Sequence, residues 1–459
     1  MKFSPLGFIV LLCLGLAFPV INYVVDSRRP TPIADAIQDN PAYERAARIL
    51  EKKCVHCHLE GKELPFYGDW PVAKNLIQHD IEEGMEHFRL ESVLKPKGGE
   101  VSEVTLAKLE DVVEKSRMPL MRYAVLHWYN LLLPRDKAVI LDWIGMERSN
   151  RFASDNVALP FRGNVIQPIP QSVHVDPRKV ELGEKLFHDK RLSADNTISC
   201  ATCHDLEMGG TDQQPTSTGI HDAVGPINAP TVYNAVFQFK QFWDGRSTDL
   251  KDQAAGPVLN PIEMGSNWEE VVPKLQADAE LTQAFTEVYP EGWSGDTITD
   301  AIAEFEKTLI TPDSAFDHFL RGEKTALTEQ ELAGYRLFKA YSCTTCHVGK
   351  ILGGQSFEKL GRGGRDYFAD RGTEVREADL GRFNVTKDED DRYKFKVPTL
   401  RNIEVTHPYF HDGSVKDMES AVRKMAYYQD GKDLSVKDTD DIVAFLKSLT
   451  GTYKGKKLS

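Results

Sequence analysis

Strand-rich stretches are missing from this sequence, cysteines outside a repeated motif are almost absent, and positive charge is in deficit. The first absence points away from sandwiches and barrels, because helical spacing of apolar residues dominates, as in Asp300 to Ile310 and Thr439 to Leu449. The charge deficit is 56 Lys+Arg against 69 Asp+Glu, a net charge of −13, which argues against a nucleic-acid partner. An acidic surface of this kind suits docking of a basic redox protein. At 459 residues the chain exceeds what one core usually serves, so two or three domains are expected.

A small-x-small cleavage site is also missing after the opening apolar run, Leu6 to Val25, which only Pro19 and Asn22 interrupt. The run matches the ~20 residues of a bilayer-spanning helix and exceeds a signal-peptide core of ~7–15 residues. Residues 1–30 are therefore expected to be an uncleaved membrane anchor. Cys13 lacks the small preceding residues of a lipoprotein site and reads as an inert membrane-facing thiol. Lys2 before the run and Arg28 and Arg29 after it leave the charge bias ambiguous.

What the chain does have is one cysteine motif three times over: Cys54-Val-His-Cys57-His58, Cys200-Ala-Thr-Cys203-His204 and Cys343-Thr-Thr-Cys346-His347. Each reads CxxCH. Two thiols at this spacing reach the two vinyl groups on one haem edge, and the adjacent histidine is held beneath the iron. A thioredoxin-like pair or half of a zinc site competes with this reading for one isolated copy. Three copies, each with its trailing histidine, point to three covalently bound haem c groups, with His58, His204 and His347 as proximal ligands. That attachment chemistry belongs outside the bacterial cytoplasm, so the body is expected on the periplasmic side of the inner membrane.

A second repeat accompanies the first. Gly183-Glu-Lys-Leu186-Phe187 precedes the second motif and Gly334-Tyr-Arg-Leu337-Phe338 the third, while Ala46, Ala47, Ile49 and Leu50 give a comparable apolar face before the first. The expected fold is mainly α: three cytochrome c-like haem domains following an N-terminal transmembrane helix. Residues 31–150 form the first, 151–175 a linker containing Pro160, Pro168 and Pro170, 176–325 the second and 326–459 the third.

Residues 171–459 resemble the bacterial di-haem cytochrome c peroxidase family. The match rests on the second CxxCH with GPINAPTVYNAVF and QFWDGR after it, then NPIEM, the third CxxCH, and VPTLRNIEVTHPYFHDGSV. With the anchor and extra haem domain, the chain looks like the membrane-attached tri-haem branch, which includes quinol peroxidases. The resemblance implies a peroxide-reducing haem at His204 and an electron-relay haem at His347. It implies that Glu263 is the catalytic carboxylate, Gln253 its partner amide and Trp243 a conduit between the haems. It further implies Met425 as the soft ligand of the relay iron, with Met418 the alternative, and His411 close to that haem. Asn228, Thr406 and Pro408 match positions that offer a calcium ion one side-chain oxygen and two carbonyls. One departure stands out: Ile220 occupies the place of a loop histidine that closes the peroxidatic iron in many members, and His221 follows it. Either the loop shifts to let His221 bind the iron, or the iron stays open and needs no reductive activation, which is the favoured expectation.

For the first haem, Met118 before Pro119 is the preferred distal ligand, with Met121, Met85 and His127 as alternatives. The expected reaction is reduction of hydrogen peroxide to water. Electrons come from membrane quinol or a c-type cytochrome, passing through the first haem domain to the third. Family members are often dimers, so a homodimer is expected. Two other readings remain: an electron-transfer cytochrome without peroxidase turnover, and an oxidase that modifies a protein.

Overall fold

The computed structural model describes residues 17–26, 40–61 and 64–459. The chain divides into two compact units, Met1–Phe152 and Ala153–Ser459.

In the first unit, residues 17–26 form helix α1. It is followed by α2 (Pro41–His58), α3 (Pro71–His87), α4 (Glu103–Glu114) and α5 (Pro134–Arg151). Asn40 starts α2 by accepting hydrogen bonds from the Ala42 and Tyr43 amides. Small residues at Ala46 and Ala47, one helical face of α2, let Leu50, Ile140, Trp143 and Ile144 close into a single core. Arg148, fully buried on α5, donates to Glu103 and Glu110 and ties α4 to α5.

The expected transmembrane anchor, and with it the inner-membrane placement, is corrected here. Among the described residues no helix is long and apolar enough to cross a membrane. Of the apolar run, residues 6–16, with Cys13, lie outside the described residues. Within residues 17–26, Phe18 and Asn22 are spent on the first unit, whereas Val20, Ile21, Tyr23 and Val24 are exposed. Phe18 packs on Phe66, Tyr67 and Trp70, and buried Asn22 donates to the Leu126 carbonyl. Hydropathy counts apolar residues but does not register what covers them.

The second unit contains α6 (Pro177–Phe187), α7 (Leu250–Leu259), α8 (Gly295–Lys307), α9 (Glu329–Ala340), α10 (Met418–Asp430) and α11 (Val436–Lys447). Its few strands are short: β1 (Phe357–Lys359) pairs antiparallel with β2 (Lys394–Lys396), and Thr452–Tyr453 with Lys456–Lys457. One helix crossing occurs twice. α6 meets α8 so closely that a Cβ on Gly183 would lie 1.9 Å from the Ala301 carbonyl oxygen and 2.8 Å from Phe305 Cβ. α9 meets α11 in the same way, with Gly334 at 1.8 Å from the Asp441 oxygen and 2.9 Å from Phe445 Cβ. The GxxLF repeat therefore encodes a glycine contact that any side chain would push apart.

The segment expected as a linker is packed into this unit. Ile166 and Ile169 are fully buried, and the Gln167 amide bonds the Ser154 N–H and the Phe161, Arg162 and Asn164 carbonyls. Arg401 donates to the Gln167 carbonyl and pairs with Asp317, all of them buried. Prolines here shape a core loop instead of a tether.

Candidate active site

Each CxxCH histidine is oriented by the same device. The Nδ1–H of His58 donates to the Phe88 carbonyl at 2.9 Å, that of His204 to Gly210 at 3.3 Å and that of His347 to Leu352 at 2.8 Å. A carbonyl can only accept, so Nδ1 carries the hydrogen and Nε2 keeps its lone pair for a metal. Burial holds His204 and His347 below the usual imidazole range, which keeps those rings neutral.

None of the six described cysteines is in a disulfide. Burial raises Cys54 to about 12 and Cys57 and Cys203 to about 11, and pushes Cys200 up as well. Redox-active thioredoxin-type thiols are shifted in the opposite direction. Two neutral thiols beside one oriented Nε2 fit covalent haem at the first and second motifs, and the third repeats the same histidine geometry.

Around the second motif, Cys200–Cys203 forms one helical turn capped by Ser199. Above it the turn at 260–265 carries Glu263, half-buried, whose Oε1 accepts from Asn260 Nδ2 at 2.7 Å. Burial raises this carboxyl above its ordinary value, while Arg246 and Asn260 oppose the rise. The charge of Glu263 reaches Cys203. Gln253 is half-buried on α7. Arg246, to which the sequence reading gave no role, lies with its guanidinium 3.5 Å from the Phe242 ring centroid and is the cation acting on Glu263.

The loop carrying the departed histidine is fixed against this turn. Ile220 N–H donates to the Glu263 carbonyl at 2.9 Å, and a Cβ on Gly219 would meet the Ile262 oxygen at 2.1 Å. Ile220 is buried against Gly265. His221, at φ +54°, turns its ring outward, 76% exposed and 3.8 Å from Asp195.

At the third motif His347 packs on Phe338 and feels the charge of Glu358, which pairs with Arg362. Met425 on α10 packs with Trp243, Tyr393 and Phe410 against buried Tyr367, Phe368, Phe395 and Tyr428. Met418 is buried at the start of the same helix. Trp243 donates its Nε1–H to the Asn228 carbonyl at 2.9 Å and lies 6.4 Å from the His411 ring. His411, stacked on Phe395, bonds Asp379 at 2.8 Å. Burial would raise Asp379, but Arg371, His411 and the Arg376 amide outweigh it and hold the carboxyl far below the usual range. Arg371 also reaches Asp412, so His411 belongs to a buried charge network invisible in the motif.

Asn228 is buried, its backbone N–H donating to the His411 carbonyl and its side-chain N–H to Gln214. The amide oxygen remains as its available acceptor. The Asn228–His411 bond sets this loop beside the segment carrying Thr406 and Pro408, hard-oxygen donors of the type calcium takes.

In the first unit, Met121 is 77% exposed, while Met118 and Met85 are half-buried. His127 is fully buried with both ring nitrogens engaged, Nε2 with the Tyr67 hydroxyl at 2.7 Å and Nδ1 with the Tyr129 hydroxyl at 2.8 Å. The Tyr123 ring stacks on it at 4.2 Å. Asp26 bonds Tyr129, and Asp26, His56 and His127 place ligand atoms within 4.8 Å of one another, the one such group among the described residues. The sequence reading missed this cluster apart from His127.

The Di-haem cytochrome c peroxidase family matches residues 177–325, and a Haem-binding domain matches residues 16–146. The third motif lies outside both spans. The chain is 52% identical over 412 residues to Cytochrome c peroxidase Ccp of Escherichia coli K12, covering 88% of this chain and 87% of that protein. It is 46% identical over 294 residues to Cytochrome c551 peroxidase of Nitrosomonas europaea, covering 64% and 86%. Among solved structures, a MauG-like protein associated with microbial copper homeostasis aligns with TM-score 0.55 at 30% identity, over 61% of this chain and 94% of that one. Similarity of this depth along nearly the whole of a relative settles the assignment: the chain is an oxidoreductase that belongs to the di-haem cytochrome c peroxidase family.

Proposed function

We propose that the chain binds three covalent haems and reduces hydrogen peroxide to water at the second motif, taking two electrons and two protons per peroxide. The observation that carries this reading is Glu263, a carboxyl raised by burial beside Arg246 and the Cys203 loop. When bound there, haem supplies the electrons that break the oxygen–oxygen bond. Glu263 takes the proton from the near oxygen of peroxide and returns it to the leaving oxygen, and the Gln253 amide orients the substrate by donating a hydrogen bond. Buried Ile220, set in place of a closing histidine, keeps the approach to this site apolar and open. Met425 serves the relay site as its soft ligand, Trp243 links the two sites, and Asn228, Thr406 and Pro408 hold calcium between loops.

The electron donor is a hydroquinone in preference to a c-type cytochrome. Oxidising a hydroquinone releases protons with its electrons, and the Asp26, His127 and tyrosine cluster near the first motif supplies acceptors for them. A cytochrome donor has no need of such a cluster.

Two measurements test the proposal. Intact mass of the matured protein should show three added haems. Steady-state peroxide reduction should proceed with a soluble hydroquinone; turnover with reduced cytochrome c alone overturns the donor assignment. Haem reduction without peroxide turnover by either donor favours the electron-transfer reading instead.

A further inference from the structure

Aligning the repeated crossing, Gly183 on Gly334 and Phe305 on Phe445, sets Glu306 opposite Leu446. Both are 4% exposed. A leucine at that depth is ordinary core, whereas a glutamate is not, and Glu306 Oε2 is buried with no hydrogen-bond partner. Its charge falls on Cys200, the first attachment cysteine of the second motif.

Among the described residues no cation offsets it. From α6, Lys179 pairs with Asp300 and Lys185 with Glu181, and from α7, Lys251 pairs with Asp296. Next to it on α8, Lys307 pairs with Glu304. His188 packs on Phe305, and Tyr453 near the C-terminus packs on Tyr233. None of these acts on Glu306, whose carboxyl is held up to about 8 by burial alone.

We propose that Glu306 is the proton-holding partner of the second haem site, binding one proton from solvent when an electron enters that site and releasing it when the electron leaves. The position stays neutral overall through the redox cycle. Burial next to the attachment cysteine makes the coupling strong, because a charge in a dry interior is poorly screened. In the relay half, Leu446 gives no such coupling. The same crossing therefore carries a proton-holding side chain in one half and an apolar one at the matching position of the other.

The inference rests on haem occupying the second motif, so covalent haem content is measured first. Loss of haem there defeats the proposed function, while loaded protein proceeds to the test. Spectroelectrochemical titration of the second haem should give a potential that falls as pH is raised from about 7 to 9. Glu306→Gln should remove that segment and hold the potential at the wild-type acid value, because an uncharged amide mimics the protonated carboxyl. An unchanged pH profile in the variant overturns the proposal. Redox-difference infrared spectroscopy of the wild type decides it even if the variant fails to mature. At about pH 9, where the oxidised protein holds the carboxylate, reduction should add the carbonyl band of a protonated buried carboxyl, and its absence overturns the assignment.

Discussion

From α6 to α8 and again from α9 to α11, the second unit builds the same glycine-mediated helix crossing, yet the two halves differ in the side chains set around it. The first half presents titratable groups, Glu263 with Arg246 near it and Glu306 in the core. The second sets Met425 among Tyr393, Phe395, Phe410 and Trp243, with its charges paired: Asp379 and Asp412 are held by Arg371 beside His411, and Glu358, which acts on His347, by Arg362. An iron that meets a substrate needs a vacant face and a proton donor, while one that relays electrons is best served by a soft ligand and a dry wall. The crossing holds the motif; the residues laid around it decide what the motif does.

The sharpest way to break this contrast is Glu263→Gln. Peroxide turnover should fall by about 10²- to 10⁴-fold while haem content and reduction are retained. Wild-type turnover in that variant would show that the polar half owes its chemistry to something else. Equivalence of the two crossings is tested by Gly183→Ala and Gly334→Ala. Each drives a methyl into backbone and should destabilise the unit by on the order of 3 kcal/mol in denaturant titrations. A variant with wild-type stability would break the equivalence.

A third test separates the halves by pH. Unfolded Glu306 ionises near 4.5, whereas the folded carboxyl keeps its proton to about 8. The folded state thus binds more protons across that window, and stability declines as pH rises through it. Glu306→Leu, which copies Leu446, should flatten the decline by on the order of 2 kcal/mol between about pH 5 and 8. The smallest effect is expected from His221→Ala. An outward ring should contribute less than about 0.5 kcal/mol and leave the oxidised haem spectrum unchanged. A spectral change would mean that the loop swings His221 inward.

Local patterns were readable without the structure. Three CxxCH motifs, the GxxLF helices and the NPIEM turn are written within a few residues, and their spacing carries their chemistry. What escaped is what forms over long chain separations. Asp26 meets Tyr129 across 103 residues and His411 meets Asp379 across 32, so neither pair has a sequence signature. Glu306 escaped for another reason: in DAIAEFEKTLI a charged residue reads as a solvent face, and only the tight crossing at Gly183 places it inside. The opening apolar run misled because Phe18 and Asn22 are spent on packing within the first unit.

The three histidine–carbonyl bonds differ in reach. His204 and His347 find their carbonyls six and five residues along the chain, and His58 finds its own thirty residues along. Closing the longer loop carries about 1.4 kcal/mol more entropy. The two later rings need only their short loops to be closed to take up this orientation. The first ring needs all of α3 and the turn beyond it in place, so its orientation depends on the longest of the three closures.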